Sequence, residues 1–74
     1  MKELVEYVAK ALVETPDEVS VESTPSDSGE LIELRVAASD RGRVIGKNGR
    51  TAHAIRTLLA AAQPGKTITL DILD

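Results

Sequence analysis

Apolar residues follow two different spacings along this chain of 74 residues. Over residues 2–14 and again over residues 50–63 they recur every three or four positions, which is the period of an amphipathic helix. Over residues 19–22, 31–38 and 67–73 they alternate with polar residues, as in strands that have one buried face. Residues 40–45 are predicted to form a further short helix. The pattern therefore predicts an α+β domain with the element order α-β-β-α-α-β.

The helical spacing also predicts which side chains fill the core. On the first helix the predicted core stripe consists of Leu4, Tyr7, Val8, Ala11 and Leu12. On the last helix it consists of Ala52, Ile55, Leu58, Leu59 and Ala62. Because Tyr7 is the single aromatic residue and lies on the stripe, we expect it to pack in the core rather than to stack on a base. His53 lies almost opposite the core face, so we expect it to be solvated.

Turn-forming residues separate these elements and indicate how the strands pair. The sequence TPSDSG at residues 24–29 predicts a hairpin loop, so the first two strands should be antiparallel. Pro16 ends the first helix, Ser39 is the predicted N-cap of the second, and Pro64 with Gly65 ends the third. The crossover through two helices should return the last strand parallel to the second. We expect a three-stranded mixed sheet with the three helices packed on one face.

Composition narrows the classes of function. Hydrophobic residues make up 42% of the chain, and there is no cysteine, so we expect an aliphatic core with neither a disulfide nor a thiolate metal site. No nucleophile is paired with a base, and no ligands are spaced for a metal. We therefore expect no enzymatic activity, metal or cofactor. The first residues lead directly into an amphipathic helix and no apolar run approaches membrane-spanning length, so we expect no membrane segment and a cytoplasmic location.

The strongest chemical signal is the loop Gly46-Lys47-Asn48-Gly49, which joins the two predicted helices of the crossover. The segment 41–66 that contains the loop has six basic residues and no acid, whereas the whole chain has a net charge of −3. A basic patch thus lies on an acidic body, which suits local capture of an anion. The start of a helix offers free N–H groups and a favourable dipole, so a backbone phosphate is the expected ligand.

Three other interpretations compete with a phosphate-binding loop. Asn48-Gly49 is a favoured hairpin dipeptide, but the alanine-rich residues that follow favour a helix over a strand. A nucleotide-hydrolase phosphate loop fails, because residues 42–47 have the wrong glycine spacing and Asn48 stands where Ser or Thr must hold magnesium. A plain helix-turn-helix corner, with Gly46 as an ordinary C-cap and no ligand, stays open.

The residues Val44-Ile45-Gly46-Lys47-Asn48-Gly49-Arg50 resemble the G-x-x-G signature of KH domains, which bind single-stranded nucleic acid. The resemblance extends over the whole chain. The element order is similar to the type II (prokaryotic) KH arrangement, and the length is similar to that of the small stand-alone bacterial KH proteins of the KhpA family. One position departs from the pattern, because many KH domains have a large aliphatic residue where this chain has Ala52.

This resemblance implies single-stranded RNA as the ligand and a role as an RNA chaperone or post-transcriptional regulator. It implies that Gly46, Lys47, Asn48, Gly49 and Arg50 clamp the phosphates, that Arg41 and Arg43 act as outer cations, and that bases lie against Val44 and Ile45. With no aromatic platform, binding should be weak and of loose sequence preference. The alternative is a protein-interaction module that forms a homodimer or a heterodimer with a larger KH protein of the KhpB type, with RNA binding secondary.

Overall fold

The computed structural model describes residues 1–73 and confirms the predicted element order. The helices are α1 (Lys2–Leu12), α2 (Arg41–Ile45) and α3 (Arg50–Ala62), and the strands are β1 (Ser20–Ser26), β2 (Gly29–Arg35) and β3 (Thr67–Ile72). Short 3-10 turns occur at Pro16–Glu18, Ala38–Asp40 and Lys47–Gly49. The chain thus has the α+β architecture of a type II KH fold, in which the α2–loop–α3 unit lies between β2 and β3.

The three strands form one mixed sheet in the order β1-β2-β3. The pairing is antiparallel between β1 and β2 and parallel between β2 and β3, as predicted. The register places Glu22 opposite Glu33, and Glu33 beside Asp71. Their neighbours Val21, Leu34 and Leu70 are buried, so the three acids point to the face that the core does not cover. A row of carboxylates therefore crosses the open face of the sheet.

The prediction for the core face of α1 was wrong at Tyr7, which is 75% exposed. The helix instead buries Val5 and Ala9, with Met1 and Val13 packed against the same cluster. These four residues are spaced by four positions and form a row beside the predicted stripe. Of the predicted stripe, Leu4 and Val8 pack against the core, whereas Ala11 and Leu12 are exposed.

On α3, the predicted core residues Ala52, Ile55 and Leu59 are buried. The prediction was wrong for Leu58, which is 46% exposed, and for Ala62, which is also exposed. The helix buries only the narrow face that meets the sheet and α2, so the outer half of the predicted stripe stays uncovered. His53 is exposed, as expected.

The hairpin is tighter than predicted, because strand pairing extends to Ser26 and Gly29 and leaves only a two-residue turn. Pro25 fits within β1 because β1 is an edge strand with one unpaired side. A Cβ atom at Gly29 would lie 2.8 Å from the backbone nitrogen of Thr67, so glycine permits the close approach of β3 to β2. The second helix also begins differently from the prediction, with Asp40 instead of Ser39 at the N-cap position and no side-chain cap.

Candidate nucleic-acid interface

Three of the four residues in the loop between α2 and α3 have left-handed or glycine-specific conformations. Gly46 has φ 77° and ψ 171°, Asn48 has φ 57° and ψ 27°, and Gly49 has φ 75° and ψ 14°. Asn48 is the one residue other than glycine with a positive φ among residues 1–73, and asparagine tolerates this conformation better than most residues. The backbone N–H of Gly49 donates to the carbonyl oxygen of Gly46 over 3.1 Å. The loop is therefore a tight turn between two helices, not a β-hairpin.

The two glycines of the loop are required for different reasons. A Cβ atom at Gly46 would overlap Oγ1 of Thr51 and lie 2.8 Å from the backbone nitrogen of Thr51. At Gly49 a Cβ atom would meet no atom within 4 Å, so only the positive φ favours glycine there. Thr51 was not among the predicted site residues, and nothing in the local sequence pattern indicates that its side chain packs on Gly46.

The N-terminus of α3 has the properties of an anion site. This helix has 13 residues, no side chain caps its first turn, and the first turn contains no acid. Lys47 and Arg50 flank it and are exposed. Neither side chain forms a hydrogen bond or an ion pair with another residue in the described range 1–73. Two available cations thus lie beside the positive end of a helix dipole.

Arg43, in contrast, is held by acidic side chains. Its Nε donates to Oδ1 of Asp40 over 3.1 Å, and its guanidinium also pairs with the carboxylate of Glu14. Asp40 is 1% exposed, and its two carboxylate oxygens accept the backbone N–H groups of Glu14 (3.1 Å) and Thr15 (3.0 Å). The Glu14 N–H is the largest influence that lowers the pKa of Asp40, and it acts with Thr15 and Arg43 against the opposing effect of burial.

Two other arginines of the basic segment donate to backbone carbonyls. Nε of Arg41 donates to the oxygen of Leu73 over 3.2 Å, and Nη2 of Arg56 donates to the oxygen of Leu70 over 3.1 Å. Both contacts join the helical crossover to β3 or to the residue that follows it. Of the predicted cations, Lys47 and Arg50 therefore face solvent at the loop, whereas Arg41 and Arg43 contact other parts of the protein.

The two aliphatic residues before the loop also differ. Val44 is fully buried and belongs to the core cluster, whereas Ile45 is half-buried. Only Ile45 therefore offers side-chain surface next to the loop. No enclosed pocket occurs in the part of the chain that the structure describes, so a ligand at this loop would bind on an open surface.

The family model described as KhpA/KhpB, KH domain matches residues 2–72. The chain belongs to this family. Similar members of the KhpA/KhpB family include the RNA-binding protein KhpA of Treponema pallidum (strain Nichols), which is 49% identical over 75 residues that cover 99% of this chain and 94% of the relative. The RNA-binding protein KhpA of Clostridium acetobutylicum is 45% identical over 99% of this chain and 100% of the relative. That of Caldanaerobacter subterraneus subsp. tengcongensis is 55% identical over 84% of this chain and 83% of the relative.

Two features that would indicate other functions are absent from the described residues of this KH domain. Among residues 1–73, no helix has the length and apolar character needed to span a bilayer. Within the same range, His, Asp and Glu side chains form no group that could hold a metal ion.

Proposed function

We propose that this chain binds single-stranded RNA through its G-x-x-G loop, residues 46–49. The observation that carries the proposal is the N-terminus of α3, which no side chain caps, with two available cations, Lys47 and Arg50, beside it. The similar KhpA proteins are named as RNA-binding proteins, and this supports RNA as the ligand. A plain helix-turn-helix corner would not require either cation to face solvent.

In this mechanism the loop holds the phosphates and leaves the bases to a shallow surface. Lys47 and Arg50 bind about one or two phosphates together with backbone N–H groups at the start of α3. Asn48 and Gly49 supply the left-handed turn that aims those groups outward. Arg41 connects α2 to the residue after β3 through its hydrogen bond to the carbonyl oxygen of Leu73, and bases lie against Ile45 at the end of α2. The buried Val44 supports this surface from beneath.

Such a surface favours weak binding with loose sequence preference. Base stacking on an aromatic ring is a main source of affinity for single strands, but Tyr7 lies on α1 and the loop has no aromatic residue. Phosphate contacts give affinity without sequence information. Binding of this kind suits an RNA chaperone or post-transcriptional regulator that contacts many transcripts briefly.

A pair of variants at Gly49 tests whether the loop binds phosphate. Asparagine and aspartate both tolerate the left-handed conformation, and space is open at this position, so Gly49→Asn and Gly49→Asp differ mainly in charge. A carboxylate near a bound phosphate should weaken affinity for fluorescent single-stranded RNA by about tenfold or more relative to Gly49→Asn. Circular dichroism checks that both variants are folded. Equal affinities for the two variants would contradict the phosphate-binding loop.

The salt dependence of binding measures how many phosphates are neutralised. If about two are neutralised on a single strand, log K should fall against log salt with a slope of about −1.4. A slope near zero would refute a phosphate-based mechanism. A slope steeper than about −5 would require a larger basic surface than the loop provides.

A second function, as a protein-interaction module, is favoured by the outer face of α3. Arg50, Ala54, Thr57 and Ala61 are all exposed there beside the apolar Leu58, and the small side chains of the two alanines and Thr57 would let two helices approach closely. The partner would be a second copy of this chain or a larger KH protein of the KhpB type. The family model covers both KhpA and KhpB, which supports a partner that carries the same fold. Such a contact would be small and transient.

A further inference from the structure

Asp40 is the one buried charged side chain among residues 1–73, and RNA binding as proposed makes no direct use of it. Burial of a carboxylate is costly unless hydrogen bonds and a countercharge compensate. Asp40 has both, because its oxygens accept two backbone N–H groups and the Nε of Arg43. These partners come from two separate parts of the chain, the corner after α1 and the helix α2.

The helix α2 depends on such contacts, because it is too short to be stable alone. It has five residues, includes Gly42, and buries only Val44, whereas isolated helices need about 12 residues or more to be even marginally stable. Asp40 lies directly before this helix, and Arg43 lies on its exposed side and reaches Glu14 beyond α1. The carboxylate of Asp40 and the side chain of Val44 thus anchor α2 together with the hydrogen bond from Arg41 to Leu73, and α2 leads directly into Gly46.

We propose that Asp40 is a positioning residue for RNA binding, which fixes α2 and the following loop against the corner after α1 and retains Arg43 in this contact instead of on a phosphate. The inference rests on the proposed function, and it revises the prediction that Arg43 is an outer cation. Arg43 then contributes to affinity through the orientation of α2, not through its charge.

Simple electrostatics and a positioning role of Asp40 predict opposite changes in RNA affinity when its charge is removed. Removal of an acid near a basic loop should strengthen the binding of a polyanion. If Asp40 orients the loop, its replacement by the isosteric, neutral asparagine should weaken RNA binding instead. The matched control is Asp17→Asn, since Asp17 is exposed and has no hydrogen-bond or ion-pair partner in the described residues.

The first measurement is the affinity of fluorescent single-stranded RNA at a temperature where every variant is fully folded, as checked by circular dichroism. We expect Asp40→Asn to bind about three- to tenfold more weakly than the wild type, and Asp17→Asn to bind equally or more tightly. Amide hydrogen exchange without RNA should be faster at residues 44–49 in Asp40→Asn and unchanged in Asp17→Asn. Equal affinity and equal exchange in the two variants would overturn the inference.

Arg43→Gln is the second variant, and it also tests the positioning role if Asp40→Asn does not fold. It should weaken RNA binding without changing the salt slope, whereas Lys47→Gln should reduce the magnitude of the slope by about 0.7. A reduction of about 0.7 for Arg43→Gln would show that Arg43 contacts a phosphate and would overturn its assignment. Absence of RNA binding by the wild type would refute the proposed function itself, whereas wild-type binding that neither Asp40→Asn nor Arg43→Gln weakens would refute only the positioning role.

Discussion

The two glycines of the loop should respond very differently to the same substitution. We expect Gly46→Ala to lower the free energy of unfolding substantially more than Gly49→Ala. Sequence symmetry within G-x-x-G suggests equal roles, so the difference depends entirely on the geometry around each Cα atom.

The cost at Gly46 has two parts. With φ 77° and ψ 171°, it lies in a region that is nearly specific to glycine, and another residue there costs about 1–3 kcal/mol. The new methyl group would also overlap Oγ1 of Thr51, and overpacking typically costs about 1–3 kcal/mol. Gly49 has φ 75° and ψ 14° with open space around it, so alanine costs only the left-handed penalty of about 1–2 kcal/mol. Gly46→Ala should therefore cost about 2–6 kcal/mol, a large part of the roughly 4–11 kcal/mol expected for a domain of this size.

Urea unfolding followed by far-ultraviolet circular dichroism measures both costs, and a double-mutant cycle isolates the overlap with Thr51. Thr51→Ala removes Oγ1 but keeps the Cβ and the backbone nitrogen of this residue, each 2.8 Å from the added methyl group, so the loss caused by Gly46→Ala should be smaller in that background but not abolished. Thr51→Ser keeps Oγ1 and serves as the control, in which the loss should stay nearly unchanged. If Gly49→Ala is as damaging as Gly46→Ala, the steric explanation is wrong. If Thr51→Ala brings no recovery, the overlap with Oγ1 is not the source of the cost.

Three further predictions concern the sheet, the outer face of α3 and the buried acid. Glu33 lies between two carboxylates in the sheet register, so Glu33→Gln should raise the free energy of unfolding by about 0.5–1 kcal/mol in urea titrations. Glu22→Gln removes only one such pair and should raise it less. Ala61→Glu should abolish self-association in sedimentation velocity, because a carboxylate would be buried without a partner; a wild type that stays monomeric at high micromolar concentration would contradict the homodimer. The pKa of Asp40 lies below its ordinary value of 3.8, so its ionised form stabilises the fold above that pH, and this stabilisation is lost as the pH falls through the folded-state pKa. Asp40→Asn should make the loss of stability on acidification less steep. The effect should be partial, because the pKa of Glu30 is also lowered, chiefly by the hydrogen bond from the Ser23 hydroxyl, and Glu30 contributes to the same loss.

The order of elements and the strand pairing could be predicted from the sequence because they depend on local periodicity and turn chemistry. The face of α1 could not. Leu4, Val8 and Leu12 form one row along the helix, and Val5 with Ala9 belongs to the next. Both rows are apolar, so periodicity does not show which of them faces the core. That depends on how the helix packs on the sheet. The sheet buries the row with smaller side chains, and Tyr7 is exposed as a result.

The position of the loop was predictable, but the roles of its cations were not. A run of bases without acids looks uniformly basic in sequence, yet Arg43 pairs with Glu14, which is 29 positions away. The N–H groups that compensate the buried Asp40 are likewise 25 and 26 positions away. Contacts at such separations leave no local pattern in the sequence. The run of bases therefore predicted more free positive charge for a ligand than the structure provides.

Acidic and basic residues occupy different parts of this domain. Glu22, Glu33 and Asp71 are adjacent across three strands, and like charges in such register destabilise a sheet. They lie on the face that the helices leave uncovered, whereas Lys47 lies in the turn between α2 and α3 and Arg50 begins α3, in the helical crossover. A polyanion that approaches the open face is repelled, and one that approaches the helical side meets two available cations at the uncapped end of α3. The separation of charge would therefore restrict RNA to one side of a domain whose net charge is −3.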